Sequence, residues 1–195
     1  MSVRLNAFSS DRMVAAVDAV RERACRAAEA LRRAGISHAI VGGTAVACWV
    51  ARVDAEAVRN TKDVHVLVCR ADFARVVEAL ASAGFVHHNV RGVDVFLDGP
   101  NGSIRSAVHV VFAAEKVHAN YLVPAPDVTE SEPGPGFPVP TLDALVRMKL
   151  TSFRLTDRVQ LLDLLEVGLI DEGWCERLPD GLAQRLEELI ASGNG

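Results

Sequence analysis

Residues 59–68 read Arg-Asn-Thr-Lys-Asp-Val-His-Val-Leu-Val, a charged entry followed by an apolar, β-branched run. Such a run is expected to form a strand over 63–68. Strand side chains repeat every second residue, so Asp63 and residue 65 must share a face. A pair of acidic side chains so placed could hold a divalent cation against a polyphosphate. The second position of this chain is histidine, His65. At about 4 Å and an effective dielectric near 20, losing one carboxylate beside a dication costs several kcal/mol before rehydration.

Upstream, AIVGGTAVACWV at 39–50 reads as a strand from His38 to Val41, a Gly42-Gly43 turn and a helix from about Thr44 to Ala51. Glycines between a strand and a helix let backbone N–H groups approach a phosphate near the positive helix end. They also serve simply as a tight turn, and Thr44 could donate to the same phosphate or only cap the helix. Downstream, LDALVRMKLTSFRLTDRVQLLDLL at 142–165 places Lys149 and Arg154 at helical spacing, with Asp157 and Asp163 on the next helix. Salt bridges across a solvated helix pair are the simplest use of those charges.

In their order and spacing these motifs resemble the nucleotidyltransferase superfold, and residues 142–165 resemble the helical pair of its minimal, toxin-type members. The resemblance covers roughly residues 36–170. It implies an α/β (α+β) fold, a mixed sheet flanked by helices and followed by a C-terminal helical part. It also implies a nucleoside triphosphate as ligand, Mg²⁺ or Mn²⁺ as cofactor, and transfer of a nucleotidyl group to a hydroxyl of RNA, protein or a small molecule. By position, Gly42, Gly43, Thr44 and Lys149 would meet the nucleotide. Asp63 would be the first catalytic carboxylate, and position 65 would carry the second. The third acidic position falls by strand count in VHVVFA, at His109, while the neighbouring strand offers Asp94 as a catalytic alternative. Asp63, His65 and His109 would form a ligand set better suited to Zn²⁺ or Mn²⁺ than to Mg²⁺. A non-catalytic binding or regulatory relative is the rival expectation, and a histidine-containing metal-dependent hydrolase a third.

The rest of the chain supplies the frame. Ser10 or Asp11 is placed to cap a first helix with apolar positions Val14, Val17, Val20, Ala24, Ala28 and Leu31, stopped at Gly35. Residues 71–82 read as a helix, and 85–89, 93–97 and 104–112 as strands, with DGPNG at 98–102 turning between the last two. Six of eight prolines fall between Pro124 and Pro140, predicting a wrapping loop. The expected division is therefore an α/β core over 1–123, a connecting loop over 124–140 and helices over 141–195. Further helix starts are expected at Thr141, Thr156 and Pro179.

Lys and Arg number 21 against 25 Asp and Glu, a formal charge of −4, which gives no signal for DNA binding. Four scattered cysteines without a CxxC pair, and no apolar run of membrane-spanning length, predict reduced, mostly buried thiols in a soluble, cytoplasmic protein. His87 and His88, on an expected edge strand, carry little signal.

Overall fold

A computed structural model describes the backbone of residues 10–193 and the side chains of residues 17–192. The capping role expected of Ser10 or Asp11 lies outside the described side chains. Helix α1 (Ser10–Arg33) leads into β1 (His38–Val41), α2 (Gly42–Val50) and β2 (Val64–Val68). Then come α3 (Phe73–Ser82), β3 (Phe85–Val90), β4 (Val93–Asp98) and β5 (Val108–Phe112). Two three-residue strands follow, β6 (Ser131–Pro133) and β7 (Pro138–Pro140), and then α4 (Leu142–Ser152), α5 (Leu155–Glu166) and α6 (Asp180–Gly193).

The five strands β1 to β5 form one mixed sheet in the order β1-β2-β5-β4-β3. Strands β2 and β5 run parallel, and the other neighbours are antiparallel. Register decides which side chains can meet. Val41 lies opposite His65, His65 opposite His109, and His109 opposite Val95, so these four share a face. On the other face Ile40, Val64, Val66, Val108 and Phe96 join apolar side chains of all six helices in the main core. Val41, Leu67, Ala113, Ala125 and Val128 form a smaller cluster on the His65 face, so the segment after β5 folds back over it. The helices thus cover one face, and the second is left partly open at its His65 end.

Several boundaries differ from the sequence reading. The strand expected over 104–112 begins at Val108, because Ile104–Ser106 turns once as a 3₁₀ helix while Ser103 accepts a hydrogen bond from the Arg105 amide. The proline-rich loop contains the β6–β7 ribbon, in which Pro133 lies opposite Pro138 and Ser131 opposite Pro140. Two-stranded ribbons tolerate proline because each strand keeps a free edge. Thr141 does cap α4, accepting from the Ala144 amide, but α5 starts at Leu155, one residue before the predicted Thr156. The four cysteines are all free and half-buried rather than fully buried. Among the described residues no helix is long and apolar enough to cross a membrane.

Candidate functional site

Beneath the open face a cleft of about 500 Å³ lies between the strand ends and helices α4 and α5. Gly42, Gly43, Asp63, His65 and Lys149 all line it. Gly42 opens α2 at φ 74°, a left-handed conformation that costs residues with a Cβ about 1–2 kcal/mol. A Cβ there would also lie 3.0 Å from His65 Nδ1. The turn and the histidine therefore fit each other only because residue 42 lacks a side chain. At Gly43 a Cβ would come 2.8 Å from Gln160 Nε2 and 3.0 Å from Thr61 Oγ1. Two residues without side chains thus open α2 on the wall of the cleft.

Asp63 precedes β2 and keeps the parity of His65. Its Oδ1 accepts from the Thr61 hydroxyl at 3.2 Å, and its Oδ2 stands 3.9 Å from His65 Nε2. The His65 ring stacks on His109, with centroids 5.0 Å apart and planes inclined by 24°. His109 Nε2 lies 3.2 Å from the Ile104 carbonyl, a hydrogen-bonding distance. Burial pulls the His65 pKa down to about 4, opposed by the Asp63 charge and reinforced by His109, Lys149 and Arg154. His65 is therefore a neutral imidazole at pH 7, and its Nδ1 is buried without a hydrogen-bond partner.

The opposite wall carries the charges. Lys149 is only 5% exposed, and its ammonium donates to Asp157 Oδ1 at 3.0 Å. Asp157 Oδ2 accepts from the Ser152 hydroxyl at 2.8 Å and from Arg154 through its amide at 3.2 Å and its Nε at 2.8 Å. Burial alone would raise the Asp157 pKa, but the Arg154 hydrogen bond and the Lys149 charge prevail and hold it at about 2. Burial pushes the Lys149 pKa down, against the pull of Asp157. Asp163 pairs with Arg59 at 2.6 Å, so Arg59 ties the loop before β2 to α5 instead of pairing with Asp63. Lys62 is exposed and lines the cleft. Thr151, 5% exposed, and Gln160 line it with a buried oxygen each that has no partner in the protein.

Three sequence-predicted residues fall elsewhere. Asp94 sits one residue from Val95, so the strand alternation turns it to the sheet face opposite His65, where it meets His87 at 2.9 Å and accepts from Asn89 at 3.0 Å. It cannot complete a site with Asp63. His109 is on the right strand and face but stacks on His65 and does not line the cleft. Thr44 is buried at 7% exposure, neither lines the cleft nor caps α2 through its side chain, and leaves its hydroxyl unpartnered. Among the described residues no three His, Cys, Asp or Glu side chains form a group able to hold a metal ion. Asp157 spends its oxygens on Lys149, Ser152 and Arg154, which leaves Asp63, among the described residues that line the cleft, as the one acidic side chain with open oxygen capacity. This donor set does not fit a pair of octahedral Mg²⁺ ions.

Sequence reasoning missed an apolar and aromatic wall. Val117, His118, Tyr121, Val123 and Pro124 reach the cleft from the irregular segment after β5, with the His118 and Tyr121 rings edge to face at 4.9 Å. The lone tyrosine of the chain was the available hint.

No protein-family model and no curated protein matches the sequence. Solved structures do. The antibiotic-resistance factor ANT(2'')-Ia, determined in solution, is similar at 12% identity and a TM-score of 0.50, over 95% of this chain and 93% of that one. JHP933 from Helicobacter pylori is similar at 13% identity and a TM-score of 0.50, over 92% of this chain and 74% of that one. At such identities the likeness speaks for fold alone, and that fold is nucleotidyltransferase-like.

Proposed function

We propose that this chain binds a nucleoside triphosphate in the cleft, as a binding or regulatory relative of nucleotidyl-transferring enzymes. The observation that carries the reading is the meeting of Gly42, Gly43, Asp63 and Lys149 in one cleft, beside the bare amide turn at the start of α2. The positive end of α2 and the cations of the far wall suit the phosphates. The apolar wall around Tyr121 suits a flat base. Two histidines where the superfold would carry acids leave too few carboxylate oxygens for a pair of Mg²⁺ ions, which favours binding over a Mg²⁺-assisted transfer step.

Isothermal titration with ATP, GTP, CTP and UTP tests binding. At least one is expected to bind, and Gly43→Ala to weaken it, because the added methyl crowds Gln160 and Thr61. Absence of heat and of any thermal shift with all four would end the nucleotide reading. Nucleotidyl transfer remains the second reading, favoured by Asp63 standing beside the turn. There a hydroxyl of RNA, protein or a small molecule would attack the α-phosphorus, and pyrophosphate would leave. Incubation with α-labelled triphosphates separates the two readings, the expected result being no label on an acceptor.

A further inference from the structure

The charges of the cleft have a bearing on the form in which a triphosphate enters it. A Mg²⁺-bound triphosphate ordinarily reaches such a fold with its charge partly cancelled, and acidic side chains complete the coordination of the ion. Here Asp63 alone retains open carboxylate capacity, because Asp157 is consumed by Lys149, Ser152 and Arg154. The histidine side of the cleft supplies no compensating ligand cluster, since His109 is stacked on His65 and lies within hydrogen-bonding distance of the Ile104 carbonyl. Positive charge is retained by contrast. Lys62, Lys149 and Arg154 line the cleft against Asp63 and Asp157, three cations to two carboxylates, and the α2 N-terminus adds its partial charge.

Resting on the nucleotide reading above, we infer that the cleft takes the metal-free triphosphate, with Lys62, Arg154 and the α2 amides standing where divalent cations would otherwise neutralise the phosphates. Charge balance then favours the uncomplexed anion, because a bound dication removes two of the negative charges these groups would meet. A dication brought in with the nucleotide would face Lys62 and Arg154 with one carboxylate to hold it. Lys62 has the most freedom to reach a phosphate, since it is exposed at the mouth. Arg154 is partly committed to Asp157.

The test is calorimetric titration of the full chain with ATP, inorganic tripolyphosphate and adenosine, each with excess EDTA and again with excess Mg²⁺. ATP is expected to bind in EDTA, to bind several-fold more weakly in Mg²⁺, and to weaken as salt is raised. Lys62→Glu should reduce the EDTA affinity by about tenfold without changing the melting temperature, because the residue is exposed. Tighter binding of ATP in Mg²⁺ than in EDTA would overturn the metal-free inference while leaving the nucleotide reading intact. Tripolyphosphate binding in EDTA as well as ATP, with adenosine adding nothing, would uphold metal-free phosphate recognition and remove the nucleoside from the reading. Absence of binding by every ligand in both conditions would overturn both. Unchanged EDTA affinity in Lys62→Glu would remove that residue and the charge argument with it.

Discussion

Replacing Asp157 should cost far more than replacing its partner Lys149, although the two share one ion pair. Asp157 is 1% exposed and accepts from Lys149, Ser152 and two groups of Arg154. Asp157→Asn removes the charge that balances the buried ammonium and turns half of the acceptor into a donor. Removing one partner of a buried pair costs about 3–5 kcal/mol, because the other charge is stranded. Lys149→Met removes the ammonium and keeps the aliphatic stem, while Asp157 retains Arg154 and Ser152, so the loss should be about 1–3 kcal/mol. For a domain of this size each kcal/mol moves the melting temperature by about 2–4 °C, so Asp157→Asn should lower it by roughly 6–20 °C. Asp157 also gives the pair a pH signature. Its folded pKa near 2 lies below its ordinary value, so the stability it confers is complete above about pH 4 and is lost as the pH falls toward 2. That loss amounts to about 2 kcal/mol. Thermal melts from pH 7 to pH 2 on wild type, Asp157→Asn and Lys149→Met measure all of this. Equal losses in the two variants, or less than about 1 kcal/mol for Asp157→Asn, would refute the reasoning.

Three further outcomes are expected. Gly42→Ala should destabilise by about 1–3 kcal/mol through its left-handed φ and its clash with the His65 ring, and His65→Ala should relieve only the clash, which a double-mutant cycle by urea denaturation will resolve. Because the folded His65 pKa is lowered to about 4, the unfolded chain takes up a proton there that the folded chain refuses, so stability should fall as pH drops from about 6.5 to 4, and His65→Asn should flatten that part of the profile. His65→Asp restores two carboxylates on one strand face and should make ATP binding stronger in Mg²⁺ than in EDTA, whereas Asp63→Ala should not; calorimetry of both variants decides it.

The strand, glycine turn and helix over 38–50 and the strand at 64–68 were legible because their signals are local: a two-residue period, paired glycines and a helical apolar pattern. The start of β5 was not, since β-branched Ile104 reads as the first residue of a strand that continues into Val108–Phe112, and only the Ser103 turn separates it. Whether Asp94 or His109 stands beside His65 is a question of register between strands about 30 to 45 residues apart in the chain. A shift of one residue moves a side chain to the other face, and no local pattern fixes that choice. The parallel β2–β5 pairing sets it, placing His109 opposite His65 and turning Asp94 away. The Tyr121 wall was invisible for a different reason: its segment has no period, and its side chains acquire a common direction only by folding back over the sheet.

His65 also gains a physical setting that the sequence motif alone lacked. A carboxylate at position 65 would be flanked by the half-buried Gly42 turn and by the ring of His109, with Asp63 beside it and, among the described residues, no metal cluster to neutralise the pair. Two like charges in that space would repel. A neutral imidazole stacks on its neighbour, fills the space over Gly42 and leaves Asp63 as a single charge. The histidine is thus accommodated by packing against His109 and Gly42, and on the metal-free inference above the electrostatic character of the cleft shifts with it from holding cations to holding an anion. On the far wall the Lys149–Asp157–Arg154 cluster does not depend on a metal for its own balance, so it persists under that shift. The same two-residue period that makes position 65 face Asp63 makes it the position at which one substitution, His65→Asp, is expected to change what the cleft binds.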